Sequence, residues 1–164
     1  MKILDDTLIR DLTARAVASP RLRAHHNLHE TLEDPVQRLL VAVLPGTHIR
    51  PHCHPEPKWE LILALRGQMV LMFFSPDGQV EQRMVISPQG PLTAIEIPPG
   101  RLHSLFPVDG PAAFLELKPG PYLPSGPADF AAWAPAEGES AVPAFQAWLR
   151  NAAPGDTFTR LTGK

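Results

Sequence analysis

A chain of 164 residues and 18.0 kDa accommodates one domain with short appendages. Hydrophobic residues make up 44% and charged residues 20%, enough apolar side chain for a packed core, which excludes wholesale disorder. A formal charge of −2 argues against a dedicated nucleic-acid binder, though not against a local basic patch.

The longest apolar runs, 61–65 and 69–74, are far short of the roughly 20 residues that a bilayer-crossing helix needs. Acids stand near the N-terminus where an export signal needs an apolar run. Cys53 is the only cysteine, so no intrachain disulfide can form, which suits a reducing compartment. A soluble, cytoplasmic protein with neither nucleic-acid nor membrane partners is expected. Twenty Pro and 11 Gly, about a fifth of the chain, favour short strands joined by turns.

In chain order, residues 1–34 read as an N-terminal helix and a connecting segment. Asp5 or Asp6 can cap the helix, Leu8, Leu12 and Ala16 share one face, and Pro20 stops it. Residues 21–34 show no period. From 35 to 122 come seven or so short strands, VQRLLVAVL, LILALRG, MVLMFFS, QVEQRMVI, TAIEIP, LHSLFPV and AAFLELK, separated by Pro- and Gly-containing turns. That spacing indicates an all-β antiparallel sandwich or barrel. Several strands are apolar on both faces, so terminal helices or a second subunit should cover the outside; a homodimer is expected. Residues 123–164 form a Pro- and Ala-rich extension with two helical candidates, 128–133 and 143–150. In the second, Phe145, Trp148 and Leu149 share a face that needs a surface to pack on.

The chemistry is concentrated between Gly46 and Gly67. His52 and His54, two apart in an extended segment, face the same way. Glu60 opens the next strand after a Pro-rich turn, and the turn Pro98-Pro-Gly100 delivers His103. Three imidazoles and a carboxylate suit one divalent transition metal ion, Fe, Zn, Mn or Ni, with coordination positions left free for a substrate. Cys53 alternates to the opposite side and reads as a small buried hydrophobe.

These residues resemble the two motifs of the cupin superfamily. Gly46, His52, His54, Glu60 and Gly67 match Gly-x5-His-x-His-x3–4-Glu-x6-Gly, except that five residues separate His54 from Glu60. Pro98, Gly100 and His103 match Gly-x5-Pro-x-Gly-x2-His-x3-Asn, but seven residues separate Gly90 from Pro98 and Pro107 replaces the Asn. The longer loop shifts the rim of the site, and the missing Asn is no ligand. More of the chain resembles the bacterial WbuC-type cupin-fold metalloproteins: His25-His-Asn27-Leu-His29, Asp34-Pro-Val-Gln-Arg38, Pro51-His-Cys-His54, Lys58-Trp-Glu60, Glu116-Leu-Lys118-Pro-Gly-Pro-Tyr122 and Trp133-Ala-Pro-Ala-Glu-Gly138. The resemblance implies a double-stranded β-helix, the RmlC-like jelly-roll barrel, holding a metal. It carries an association with lipopolysaccharide O-antigen gene clusters and no established reaction.

Five residues are pocket candidates. His48 and Arg50 share the parity of His52 and His54 and could line the barrel mouth, unless Pro51 breaks the register and leaves a solvated strand end. Glu116 and Lys118 alternate with Leu115 and Leu117, so they lie either in the lumen, near the metal, or outside. Tyr122 is either a hydroxyl near the mouth or an anchor for the extension. His25, His26 and His29, with Asn27 between them, read as capping or interface residues rather than a second metal site. Arg21 and Arg23 read as a solvated loop pair.

The expected function is a mononuclear metal-dependent enzyme acting on a small polar molecule, a sugar or an organic acid. An isomerase or a dioxygenase fits, according to the metal. The alternative is a non-catalytic metal-dependent binding protein for a small ligand. A metal-free epimerase using a His base and a Tyr acid would not need this ligand set.

Overall fold

A computed structural model of the chain describes residues 1–159. Helix α1 (Asp6–Ala18) starts where the Asp5 carboxylate accepts the Leu8 amide at 2.9 Å, and it buries Ile9, Leu12 and Ala16. Eight strands follow: β1 (Arg23–Asn27), β2 (Val36–Val43), β3 (Glu60–Arg66), β4 (Met69–Phe74), β5 (Val80–Ile86), β6 (Ala94–Ile97), β7 (His103–Pro107) and β8 (Ala112–Pro119). They pair antiparallel in two sheets, β1-β2-β8-β3-β6 and β5-β4-β7. The fold is the cupin jelly roll, mostly β with two short helices.

Strand alternation sorts each side chain to one of three cores. Val41, Val43, Ile62, Ala64, Met69, Leu71, Phe73, Leu105 and Phe114 meet between the sheets. On the outer face of the five-stranded sheet, Leu40, Ala42, Leu44 and Ala113 receive α1. On the outer face of the three-stranded sheet, Val70, Met72 and Phe74 pack against Ala131, Ala134, Phe145, Leu149 and Ala152 of the C-terminal segment. The absence of apolar–polar alternation in β4 is thereby explained, since the strand is buried on both faces by different layers of its own chain.

Two sequence expectations differ from the structure. Residues 23–27, read as irregular, form edge strand β1 on β2. Such a strand is held by backbone pairing and needs no apolar alternation. Residues 128–133 form no α-helix: a 3-10 turn, Pro127–Asp129, is followed by extended Phe130 and a further turn closed by Ala134 N on Ala131 O. Their backbone is already engaged: Cys53 N donates to Asp129 O at 2.8 Å and Ala131 N to Pro51 O at 2.9 Å. The second helix, α2 (Val142–Asn151), forms as read and buries Phe145 and Leu149. The carbonyls at its C-terminal end are met by a cation from β5. The Arg83 guanidinium donates to Leu149 O, Arg150 O and Ala152 O at 2.8, 3.0 and 3.3 Å.

Gly67 closes the β3–β4 turn at φ +71°, and a Cβ there would stand 2.6 Å from Pro111 O. Gly100 turns at φ +72°, and its amide donates to His54 O at 2.8 Å. The turn that delivers His103 is thus tied to the segment that carries His54.

Phe145→Ala removes a fully buried ring lying against Trp133, Trp148 and Phe158. It should cost about 3–5 kcal/mol in denaturant unfolding. A loss under about 1 kcal/mol would mean that the C-terminal layer is not part of the cooperative fold.

Candidate metal centre

Glu60 is the first residue of β3 and His103 the first of β7, so both motifs place a ligand where a strand leaves its turn. His52 lies in the long β2–β3 connection and exchanges backbone hydrogen bonds with His103, N to O at 3.0 Å and O to N at 2.9 Å. The two motifs are joined by that bridge. One ligand atom from each of His52, His54, Glu60 and His103 lies within 4.8 Å of the others.

The rings are oriented by their unused nitrogens. His52 Nδ1 is 3.0 Å from Arg50 O and His103 Nδ1 is 2.9 Å from Arg101 O. A ring that donates Nδ1–H to a carbonyl presents Nε2 as a lone pair. His103 Nε2 then faces Glu60 Oε2 at 2.9 Å, two acceptors that approach only with a cation between or beside them. A proton can serve, and His103 responds: burial opposes its charge, but the Glu60 hydrogen bond and charge outweigh burial and raise its pKa. Burial also works against ionised Glu60, yet the His103 hydrogen bond holds its carboxyl well below the usual range. His52 goes the other way; burial and the charge of His103 lower it to about 3, so it is a neutral ligand at physiological pH. His54 Nε2 is buried, 3.3 Å from Glu60 Oε1 and without a hydrogen bond. Three converging imidazole nitrogens, one of them without a hydrogen bond, and a buried carboxylate fit a borderline divalent ion.

Above the cluster is a cavity of about 240 Å³, walled by Val41, Leu105 and Phe114 and by the polar Arg23, Glu116 and Lys118. A second opening of about 440 Å³ borders His52 and His54 and runs under the C-terminal segment.

A family profile described as a domain of unknown function, DUF6016, matches residues 4–86, just over half of the chain. The chain belongs to the DUF6016 family. No functionally curated protein matches it. Among solved structures it is similar to TT1209 from Thermus thermophilus, at 22% identity and TM-score 0.53, over 73% of this chain and 97% of that one. It is also similar to the capsular polysaccharide assembling protein CapF from Staphylococcus aureus, at 22% identity and TM-score 0.55, over 66% of this chain but only 31% of CapF. An oxalate oxidase bound to the substrate analogue glycolate aligns at 20% identity and TM-score 0.50, over 64% of this chain and 54% of that enzyme. These likenesses concern the cupin fold.

For the DUF6016 chain, the pocket candidates separate. Glu116 and Lys118 lie in the lumen, because Leu115 and Leu117 stand opposite Leu63 and Leu61 on the outer face. Lys118 Nζ is 2.5 Å from Glu116 Oε1 and 3.8 Å from Glu60 Oε1. Burial and the charge of Glu60 push the Glu116 carboxyl above its ordinary value.

His48 and Arg50 border the outer opening, but the C-terminal segment takes their polar atoms. His48 Nε2 is 3.0 Å from Pro135 O, with Phe145 edge-on to the ring. Arg50 Nε and Nη2 donate to Ala131 O at 3.2 and 2.7 Å, with the guanidinium over Phe130. Tyr122 is exposed at the rim, its amide on Leu32 O. Cys53 is half-buried, and burial raises its thiol.

Of the remaining histidines, His25 and His26 fall on opposite sides of β1, and His29 accepts the Arg38 amide at 3.1 Å. Among the described residues no metal-holding group unites them. Arg21 and Arg23 are the surprise. They line both openings and bind Glu137, a contact between residues more than a hundred positions apart that no local pattern announces.

His48 gives a pH prediction. Its Nδ1 is buried without a partner, and burial lowers its pKa. The unfolded chain therefore binds the proton more readily, and stability from this group falls as pH drops below about 6.5. His48→Gln keeps a donor for Pro135 O and cannot titrate. In chelator-treated protein, denaturant midpoints should fall less between about pH 7 and about pH 5.5 in the variant than in wild type. Equal falls would contradict this reading.

Proposed function

We propose that the chain is a mononuclear metal-dependent enzyme of the WbuC type, acting on a small, oxygen-rich polar molecule in a bacterial cytoplasm. The carrying observation is the ligand group itself, with His52, Glu60 and His103 lining the inner cavity, His103 Nε2 against Glu60 Oε2, and His54 Nε2 3.3 Å from Glu60 Oε1 at the adjoining opening. His52, His54, Glu60 and His103 would hold the ion. A bound divalent ion supplies Lewis acidity toward a substrate oxygen.

The chain's own residues do the rest. Apolar walls from Val41, Leu105 and Phe114 limit water around the cluster. Glu116 and Lys118 face the same space, and the Glu116 carboxyl, raised by burial, is suited to give or take a proton at Oε1 or Oε2. A protein that only stores or reports a ligand has no need of such a pair beside the ion, which favours an enzyme over the non-catalytic alternative. The inner cavity of about 240 Å³ and the adjoining opening of about 440 Å³ have the size of a small-molecule site. The WbuC resemblance adds sugars and O-antigen-related molecules to the substrate candidates. A homodimer belongs to the same proposal, supported by a half-buried stripe of Leu61, Leu63, Leu115 and Leu117 beside the ground that α1 covers.

Element analysis of protein purified without a metal-affinity tag tests the assignment. About one equivalent of Fe, Zn, Mn or Ni is expected, absent from His52→Ala and from His103→Ala and retained by Cys53→Ala. Equal metal in wild type and His52→Ala would overturn the site.

A further inference from the structure

The two openings above the ligand group share Arg21, Arg23, Ile49, His52 and Lys118. Arg23 is fixed in place: Nη1 donates to His48 O at 2.8 Å and Thr47 Oγ1 at 3.3 Å, and its side chain is only 17% exposed. Its Nη2 reaches Glu137 Oε2 at 3.4 Å, while Arg21 Nε donates to Glu137 Oε1 at 2.8 Å. One carboxylate therefore bridges two guanidiniums and leaves a positive charge in excess. Deeper in, Glu60 and Glu116 already have Lys118 and the imidazoles.

Glu137 is an easily displaced occupant. It is 45% exposed on an irregular segment, beside Gly138 at φ +86°, and an ion pair with so exposed a partner is weakly held. The guanidinium forks match a planar carboxylate bidentately, and a free carboxylate could take the same donors.

We infer that Arg21 and Arg23 form the anion subsite of this cavity, occupied in cis by Glu137. The substrate then carries a carboxylate remote from the oxygen atoms that bind at His52, His54, Glu60 and His103. The inference rests on the metal-dependent reading proposed above.

The test uses Mn(II)-loaded full-length protein with lactate, malate and 2-hydroxyglutarate. All three share an α-hydroxycarboxylate end that can chelate an ion; only the last two add a remote carboxylate, at different reach. By calorimetry, one of the dicarboxylates should bind at least about tenfold tighter than lactate, the value of a charged hydrogen-bond pair. Arg23→Met should reduce that preference to near unity. Glu137→Gln should tighten dicarboxylate binding several-fold and leave lactate unchanged. If Arg23→Met fails to fold, Arg21→Met and Glu137→Gln, at positions 58% and 45% exposed, carry the test. Full metal content with no preference in wild type, or a preference unchanged in these variants, overturns the inference alone. Absence of bound metal in wild type, read on the same samples, overturns the metal-dependent reading and the inference with it.

Discussion

Glu60 is 4% exposed in a lumen walled by Ile62, Ile97 and Phe114, and a carboxylate in such a place must be compensated. Three imidazoles and the Lys118 ammonium meet that demand from three separate stretches of chain. None of them would stand there without the barrel. The reciprocal backbone bridge between His52 and His103 fixes their separation, and the Nδ1 contacts to Arg50 O and Arg101 O fix ring rotation. Glu60 and His103 are supported by the strands they open, and His52 by its backbone hydrogen bonds to His103. A group of acceptors held this firmly around one point is organised for a cation of higher charge than a proton.

The outer layers extend the same logic. α1 covers one sheet and the C-terminal segment the other, so the barrel needs no long helices to close its core. The C-terminal segment also shapes the mouth. Ala131 O is held by Arg50, Pro135 lies against His48, and Glu137 reaches Arg21 and Arg23. Residues 131–158 are therefore both a core layer over β4 and one wall of the route to the four grouped side chains.

How much of this was legible in the sequence follows from the range of each interaction. The grouping of His52, His54, Glu60 and His103 could be read because Gly46, Gly67, Pro98 and Gly100 mark the turns and strand parity does the rest. α1 could be read from its cap and its four-residue period. β1 could not, because an edge strand with no apolar alternation leaves no local trace. The side on which Glu116 and Lys118 fall depends on the β3–β8 register, which pairs Leu61 with Leu117, and register is not a property of either strand alone. Parity left His48 and Arg50 either at the mouth or on a solvated strand end, and both border an opening. It could not show that residues 131 and 135 would occupy their polar atoms.

Whether these four side chains surround one ion is tested most directly by anomalous diffraction. Crystals of the protein as purified would be measured at the absorption edge of whatever metal element analysis finds. A single strong peak is expected about 2.0–2.2 Å from the ligand atoms of His52, His54, Glu60 and His103. A metal-bearing protein whose anomalous peak lies elsewhere, with His103 Nε2 still bonded directly to Glu60, would contradict it.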